Sequence, residues 1–270
     1  MNIPRPNEGR VPVDFLGAPS DQELEQLASW SPPALLRRGP GRETFAWIDS
    51  KGVPRIVKRF SVGPGLEGWR ERLRGAEVRG PAQREFAQLV ELAGFGLPVP
   101  AAIAWHLSSS EPGISLVVME QVVHEENLRQ LLQRRPEDAD RWLAELLELV
   151  TTFHRGGWYH RDLYLDHVLV ERLADGRERL VLIDLGRARR ERRPRRRWLI
   201  KDLAALWHST SSGVRRTLAL RFLTSWMRDQ GILNKREKRR ILLAVIAKER
   251  RMAAHTPRGG TSFPTMEESR

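Results

Sequence analysis

The 270-residue chain contains no cysteine. That excludes disulfide staples, thiolate metal sites and a cysteine nucleophile, and it suits a reducing compartment. Long apolar runs are also missing. The best candidate, ILLAVIA at 241–247, is far shorter than the roughly 18 residues a membrane span needs. The opening stretch MNIPRPNEGRVPVDFLGAPS has no apolar core of the kind a secretory signal requires. A soluble, cytoplasmic protein is expected. Tyrosine is scarce, 2 residues against 9 Trp, and no repeated aromatic–basic spacing marks an RNA-binding platform. Nucleic acid is therefore not the expected partner.

Positive charge is in excess, with 46 Lys+Arg against 34 Asp+Glu and a net charge of +12. Such a surplus favours polyanions, among them an anionic membrane surface or a phosphorylated glycolipid. Much of it is local: residues 187–197, RARRERRPRRR, hold eight arginines and one glutamate. Guanidinium forks match phosphate geometry, yet a dense charge run also serves as a plain solvated loop, and composition leaves both open. An apolar fraction of 40% over this length allows one large domain or two lobes around a cleft.

The order of elements favours two unequal lobes in the α+β class. A proline-containing arm leads to SDQELEQLASW, which opens with a Ser20–Glu23 capping box and starts a short helix, so residues 1–33 read as arm plus helix. Residues 34–120 read as a small lobe. ALLRR, TFAWIDS and PRIVKRF form an antiparallel meander across turn-rich GPGRE and SKGV, then a helix runs from about 81 to 93, and AAIAWHL and ISLVVMEQV add strands. On that helix the apolar face is expected at Phe86, Leu89, Val90 and Ala93. Residues 121–252 read as a larger, mainly helical lobe. It contains the helices NLRQLLQRR and DADRWLAELLELVTTFHRGG, the hairpin HVLVERL-ADG-ERLVLIDLG, and three closing helices beginning at KDLAALWHSTS. Residues 253–270 read as a disordered tail.

Four residues carry the chemistry. Lys58 sits in PRIVKRF between apolar neighbours, where an isolated lysine would snorkel to water. Glu85, on the following helix, shares a face with Glu77 and Gln88 and by itself would be an exposed surface glutamate. Together they suggest an ion pair that holds a lysine ready for an anionic ligand. Asp162 follows HR and precedes a strand, and Asp184 ends the run LVLI two residues before Gly186. The intervening hairpin brings their ends together, and two carboxylates at one mouth can bind a divalent metal and orient a hydroxyl nucleophile.

In this order, Lys58, Glu85, HRDLYLDH at 160–167 and DLG at 184–186 resemble the signature set of the protein-kinase superfamily. The resemblance implies a two-lobed protein-kinase-like fold with a small antiparallel-sheet lobe, ATP and Mg²⁺. It implies Asp162 as the residue orienting the acceptor hydroxyl, Asp184 as the metal ligand, and Lys58, steadied by Glu85, on the α- and β-phosphates. Met119 takes the gatekeeper place, and the Glu120 carbonyl and Val122 amide take the adenine edge. Gly39 and Gly41 of GPGRET cover the phosphates, although Thr44 stands where a third glycine is expected. Asp202 resembles the buried aspartate that braces the catalytic loop, with His160 packed and Arg161 tethering. His167 stands where a second metal-binding asparagine belongs, and imidazole is an inferior ligand for magnesium.

HRDLYLDH, a DLG followed by RARRER without an APE, and KDLAAL at 201–206 are similar to the bacterial lipopolysaccharide core kinases, the Kdo and heptose kinases. That likeness implies phosphorylation of an inner-core sugar and a lipopolysaccharide glycolipid acceptor. It also implies a peripheral place on the anionic inner face of the cytoplasmic membrane. Arg189, Arg190, Arg192, Arg193 and 195–197 follow the metal aspartate, where the acceptor should bind. Two other readings stand beside it: a pseudokinase-type binding module with a basic docking face, and a protein or small-molecule kinase.

Overall fold

The computed structural model describes residues 18–61, 80–192, 195–210 and 214–254. Most of the expected arm, the tail from 255 onward, Glu77 and Arg193 lie outside the described residues. Helix α1 (Asp21–Ser29) begins at the capping box foreseen for it: Ser20 Oγ accepts from the Glu23 N–H, and Glu23 reaches back to the Ser20 N–H.

Strands β1 (Arg37–Gly39), β2 (Arg42–Ile48), β3 (Pro54–Phe60), β4 (Ala102–Leu107) and β5 (Ser115–Glu120) form one antiparallel sheet in the order β1-β2-β3-β5-β4. β1 takes only the end of the expected ALLRR stretch, although the Leu36 N–H just before it still donates to the Thr44 carbonyl at 2.8 Å. Side chains alternate across the sheet. Phe45, Val57, Leu116 and Val118 lie on one face under Leu24 and Leu27 of α1. Lys58, Val117 and Met119 lie on the other, toward helix α2 (Pro81–Gly94).

Helix α2 is rotated from the expected setting. It buries Ala82, Phe86, Leu89 and Leu92 but also Glu85 and Gln88, while Val90 is 43% exposed and Ala93 faces solvent. The two polar residues turn inward because each has a partner there: Lys58 for Glu85, and the Ala188 carbonyl for Gln88 Nε2 at 2.6 Å. Hydrophobicity alone ranks Val90 above them, but the hydrogen bonds made inside offset part of the cost of burial.

The larger part is mainly helical. β6 (His124–Asn127), polar in sequence and not foreseen, leads through an Asn127–Gln130 capping box into α3 (Leu128–Arg134). α4 (Ala139–Arg155) ends before β7 (Trp158–Tyr159). The hairpin of β8 (Val168–Arg172) and β9 (Glu178–Leu182) pairs Val168 with Leu182 and takes β6 on its edge. β10 (Arg189–Arg190) pairs with β7. Helices α5 (Arg196–Ser209), α6 (Arg216–Asp229) and α7 (Lys235–Ala253) close the fold. α5 starts five residues before KDLAAL, absorbing the end of the arginine run. One apolar cluster runs from Phe60 and α2 through Trp142, Leu146 and Phe153 of α4 to Trp226 of α6, so the strand-rich and helical parts of the α+β arrangement share a core.

Leu92 is fully buried within that cluster. Leu92→Ala is expected to lower stability by about 2–5 kcal/mol, seen as a lower denaturant midpoint with an unchanged slope.

Candidate active site

The lysine on β3, the glutamate on α2 and the aspartate after β9 meet. Lys58 Nζ lies 2.5 Å from Glu85 Oε1 and 3.2 Å from Asp184 Oδ1. Its side chain is only 8% exposed. Burial works to lower the Lys58 pKa, but the Glu85 and Asp184 charges outweigh it and leave the ammonium raised above its ordinary value. Burial pushes Asp184 the opposite way, upward; Lys58, Arg42, His167 and Arg37 together hold it well below the usual carboxylate range. The close approach needs Gly186: a Cβ there would lie 2.8 Å from Glu85 Oε2. The exposed-surface reading of Glu85 and the snorkelling reading of Lys58 are thus both overturned.

The loop carrying Asp162 is shaped by Asp202 of α5. Asp202 accepts the His160 N–H at Oδ2 and the Arg161 N–H at Oδ1, each at 2.7 Å. Trp226 Nε1 donates to His154 Nδ1 at 3.0 Å, so the His154 Nε2–H faces Asp202, 3.4 Å away. His160 is fully buried: its Nδ1 accepts the Asp162 N–H at 3.3 Å and its Nε2–H donates to the Ile183 carbonyl at 3.0 Å. Burial lowers the His160 pKa, keeping the ring neutral. His167 donates from Nδ1 to the Asp162 carbonyl at 2.8 Å, and its Nε2 stands 3.8 Å from Asp184 Oδ2. It thereby links the two aspartates.

Two cations beside Asp162 were not foreseen. Arg187 Nη1 donates to Asp162 Oδ2 at 2.7 Å, and Lys201 Nζ lies 3.3 Å from Oδ1 while donating to the Arg161 carbonyl. Burial lowers the Lys201 pKa, with Asp162 pulling it up and Arg187 reinforcing the fall. Lys201 was legible as the residue before the bracing aspartate, but only tertiary contact shows that it turns toward Asp162. Arg37 and Arg42 were missed as well: they reach Asp184 Oδ2 at 2.7 Å and Oδ1 at 3.3 Å.

The residues expected at the adenine edge, Glu120 and Val122, lie at and just beyond the end of β5. Glu120 is exposed with its N–H given to the Ala101 carbonyl, and Val122 packs with Leu169 and Val181 in a small apolar cluster. Gly39 and Gly41 belong to a tight β1–β2 turn. The arginine run is more committed than its sequence suggested. Arg190 bonds Glu91 at 2.5 Å and covers the Phe95 ring, Arg196 pairs with Glu237, and Arg161 and Arg197 lie over Trp198. Arg192 and Arg195 are exposed.

A model described as the lipopolysaccharide kinase (Kdo/WaaP) family matches residues 70–253. The lipopolysaccharide core heptose(I) kinase WaaP of Pseudomonas aeruginosa is 31% identical over 159 residues, 54% of this chain. The chain spans 59% of the length of that curated relative. A solved structure of WaaP in complex with acyl carrier protein superposes with a TM-score of 0.61 at 25% identity, over 84% of this chain and 92% of that one.

Gly186→Ala is expected to force Glu85 away from Lys58. The nearest atom is the Oε2 tip of a side chain that can shift, so stability, read from the denaturant midpoint, should fall by less than the about 3–5 kcal/mol that removing one partner of a buried pair costs; an unchanged midpoint means the cluster yields at no cost. A second expectation concerns pH. The folded pKa of His160 lies below the ordinary 6.5, so the unfolded chain binds the extra proton first as pH falls. Its contribution is full above 6.5 and is lost below it. The melting temperature should fall on acidification below that value, with a shallower slope in His160→Gln.

Proposed function

Because the chain belongs to the lipopolysaccharide kinase (Kdo/WaaP) family, we propose that it transfers the γ-phosphoryl group of ATP to a sugar hydroxyl of the lipopolysaccharide inner core, on heptose or Kdo. The observation that carries the reading is the meeting of Lys58, Glu85 and Asp184 beside a loop that presents Asp162. In this reading the lobe boundary falls between Glu120 and Val122, where the adenine edge meets the backbone above the Leu169–Val181 floor.

Asp184 suits a hard divalent cation, since it stays ionised and is 15% exposed. Among the described residues no group of three or more His, Cys, Asp or Glu side chains stands together as a metal cage. Magnesium does not require one, because it is usually held by one or two carboxylates with substrate phosphates and water. Asp184 is the principal ligand, with His167 Nε2 facing the same place as a poorer one. Held there, Mg²⁺ would supply neutralisation of the charge on the transferring group.

The chain's own residues do the rest. Lys58, fixed by Glu85, presents its ammonium to the α- and β-phosphates. Asp162 accepts the hydrogen bond of the acceptor hydroxyl and aims its oxygen at the γ-phosphorus. As the new O–P bond forms, the bond to the β,γ-bridging oxygen breaks, the hydroxyl proton passes to Asp162, and ADP leaves. Lys201 and Arg187 hold the Asp162 carboxylate in one orientation. The exposed Arg192 and Arg195 and the basic helix α7 supply attraction for a phosphorylated glycolipid at an anionic membrane surface.

The test is transfer from ATP to core glycolipid by the purified chain. Asp162→Ala is expected to lose at least about a hundredfold in rate with an unchanged melting temperature. Mass spectrometry of lipid A–core from cells lacking the protein should show one phosphoryl group fewer. Full transfer by Asp162→Ala, or an unchanged core, would refute the assignment.

A further inference from the structure

The β1–β2 turn is poorly built to wrap phosphates with backbone amides. Gly39 pairs directly with Arg42, leaving Pro40 and Gly41 as the whole connection, with Gly41 at φ +61°. The Gly41 carbonyl is spent on the Ser61 N–H at 3.0 Å. Proline has no N–H, so this turn offers few donors where a longer glycine loop would offer several.

The strands flanking it offer something else. In the register, Arg37 lies opposite Thr44, and Thr44 opposite Lys58, while Arg42 is two residues from Thr44 on the same strand. With side chains alternating at period two, Arg37, Arg42 and Lys58 therefore share one face. Arg38, Glu43 and Arg59 share the other, where Glu43 lies 3.0 Å from Arg38 and 2.5 Å from Arg59. The outer arginines share that one glutamate, and Arg59 is further held by the carbonyls of Leu27, Ala28 and Trp30. The inner three cations face only Glu85 and Asp184, which leaves a positive surplus beside the carboxylate assigned to the metal. Arg37 and Arg42 remain 41% and 23% exposed, open to a ligand entering the cleft.

We propose that Arg37 and Arg42 are nucleotide-phosphate contacts, supplying with two guanidinium groups the donors that the shortened turn lacks. The inference rests on the kinase reading above and adds to it a polyphosphate site on the sheet. With a divalent cation held at Asp184, its added positive charge there would favour release of both guanidiniums from that carboxylate. The β- and γ-phosphate oxygens then become their acceptors, and guanidinium matches phosphate in charge and fork geometry. The salt bridges to Asp184 are the ligand-free arrangement of the same groups.

The experiment is calorimetric titration of the full chain and of Arg37→Ala, Arg42→Ala and the double variant. The ligands are AMP, ADP and ATP with Mg²⁺, and inorganic tripolyphosphate, without acceptor. Affinity for ATP and tripolyphosphate should fall about tenfold or more per arginine, affinity for AMP should hardly change, and Arg42→Lys should recover part of the loss. Unchanged ATP and tripolyphosphate affinity in the double variant overturns the inference and leaves the kinase reading standing. Tighter binding by the variants also overturns it, since the arginines would then be a latch on Asp184. A parent chain that binds tripolyphosphate through these arginines but no adenine nucleotide would overturn the kinase reading and, with it, the assignment of the arginines to a nucleotide.

Discussion

An ammonium group sealed from water needs its counter-charges brought to it, and Lys58 imposes that condition on much of the smaller lobe. Its two partners come from α2 and from the segment after β9, which are far apart in sequence. Separating Glu85 from Lys58 leaves the buried Glu85 carboxylate without a counter-charge, which is more costly than never having buried it. The rotation of α2, which turns Glu85 inward and leaves Val90 in solvent, follows from this. So does Gly186, the residue at which a side chain would collide with Glu85. α2 and the segment after β9, which already meet in one apolar cluster through Leu89, Leu92 and Leu185, are thereby tied together by charge as well.

The loop side of the cleft is held by a different device. Arg161 and Asp184 are the only described non-glycine residues with positive φ, at 76° and 56°. Such backbone is unfavourable and persists where neighbours over-determine it. For Arg161 the neighbour is Asp202, which accepts its N–H and is itself aligned by His154 and Trp226. For Asp184 the restraint is the ring of cations around its carboxylate. His167 connects the two halves, bonded to the backbone of one aspartate and facing the side chain of the other. A residue that looks like the loss of a metal-binding asparagine therefore keeps a bridging position.

Charge shows how far composition can mislead. The run at 187–197 drew attention as a phosphate-binding or solvated stretch, yet Arg187, Arg190 and Arg196 are paired with Asp162, Glu91 and Glu237. The cations that line the cleft from the sheet, Arg37 and Arg42, lie in short strands of ordinary composition. Counting charges finds the run; only pairing register shows which arginines share a face with Lys58.

The sequence alone determined the order of the main elements, the α+β division into a strand-rich and a helical part, the capping box at Ser20, and the set Lys58, Glu85, Asp162, Asp184 and Asp202. These are local matters: strand alternation, helix capping and motif spacing all act within a few residues. The tertiary structure decided the inward face of α2, the early start of α5, the polar strand β6, and the approach of Arg37, Arg42, Arg187 and Lys201 to the two aspartates. Each of those depends on a partner distant in the chain. Whether a polar side chain is buried turns on the hydrogen bonds and counter-charges waiting for it, and no local window contains them.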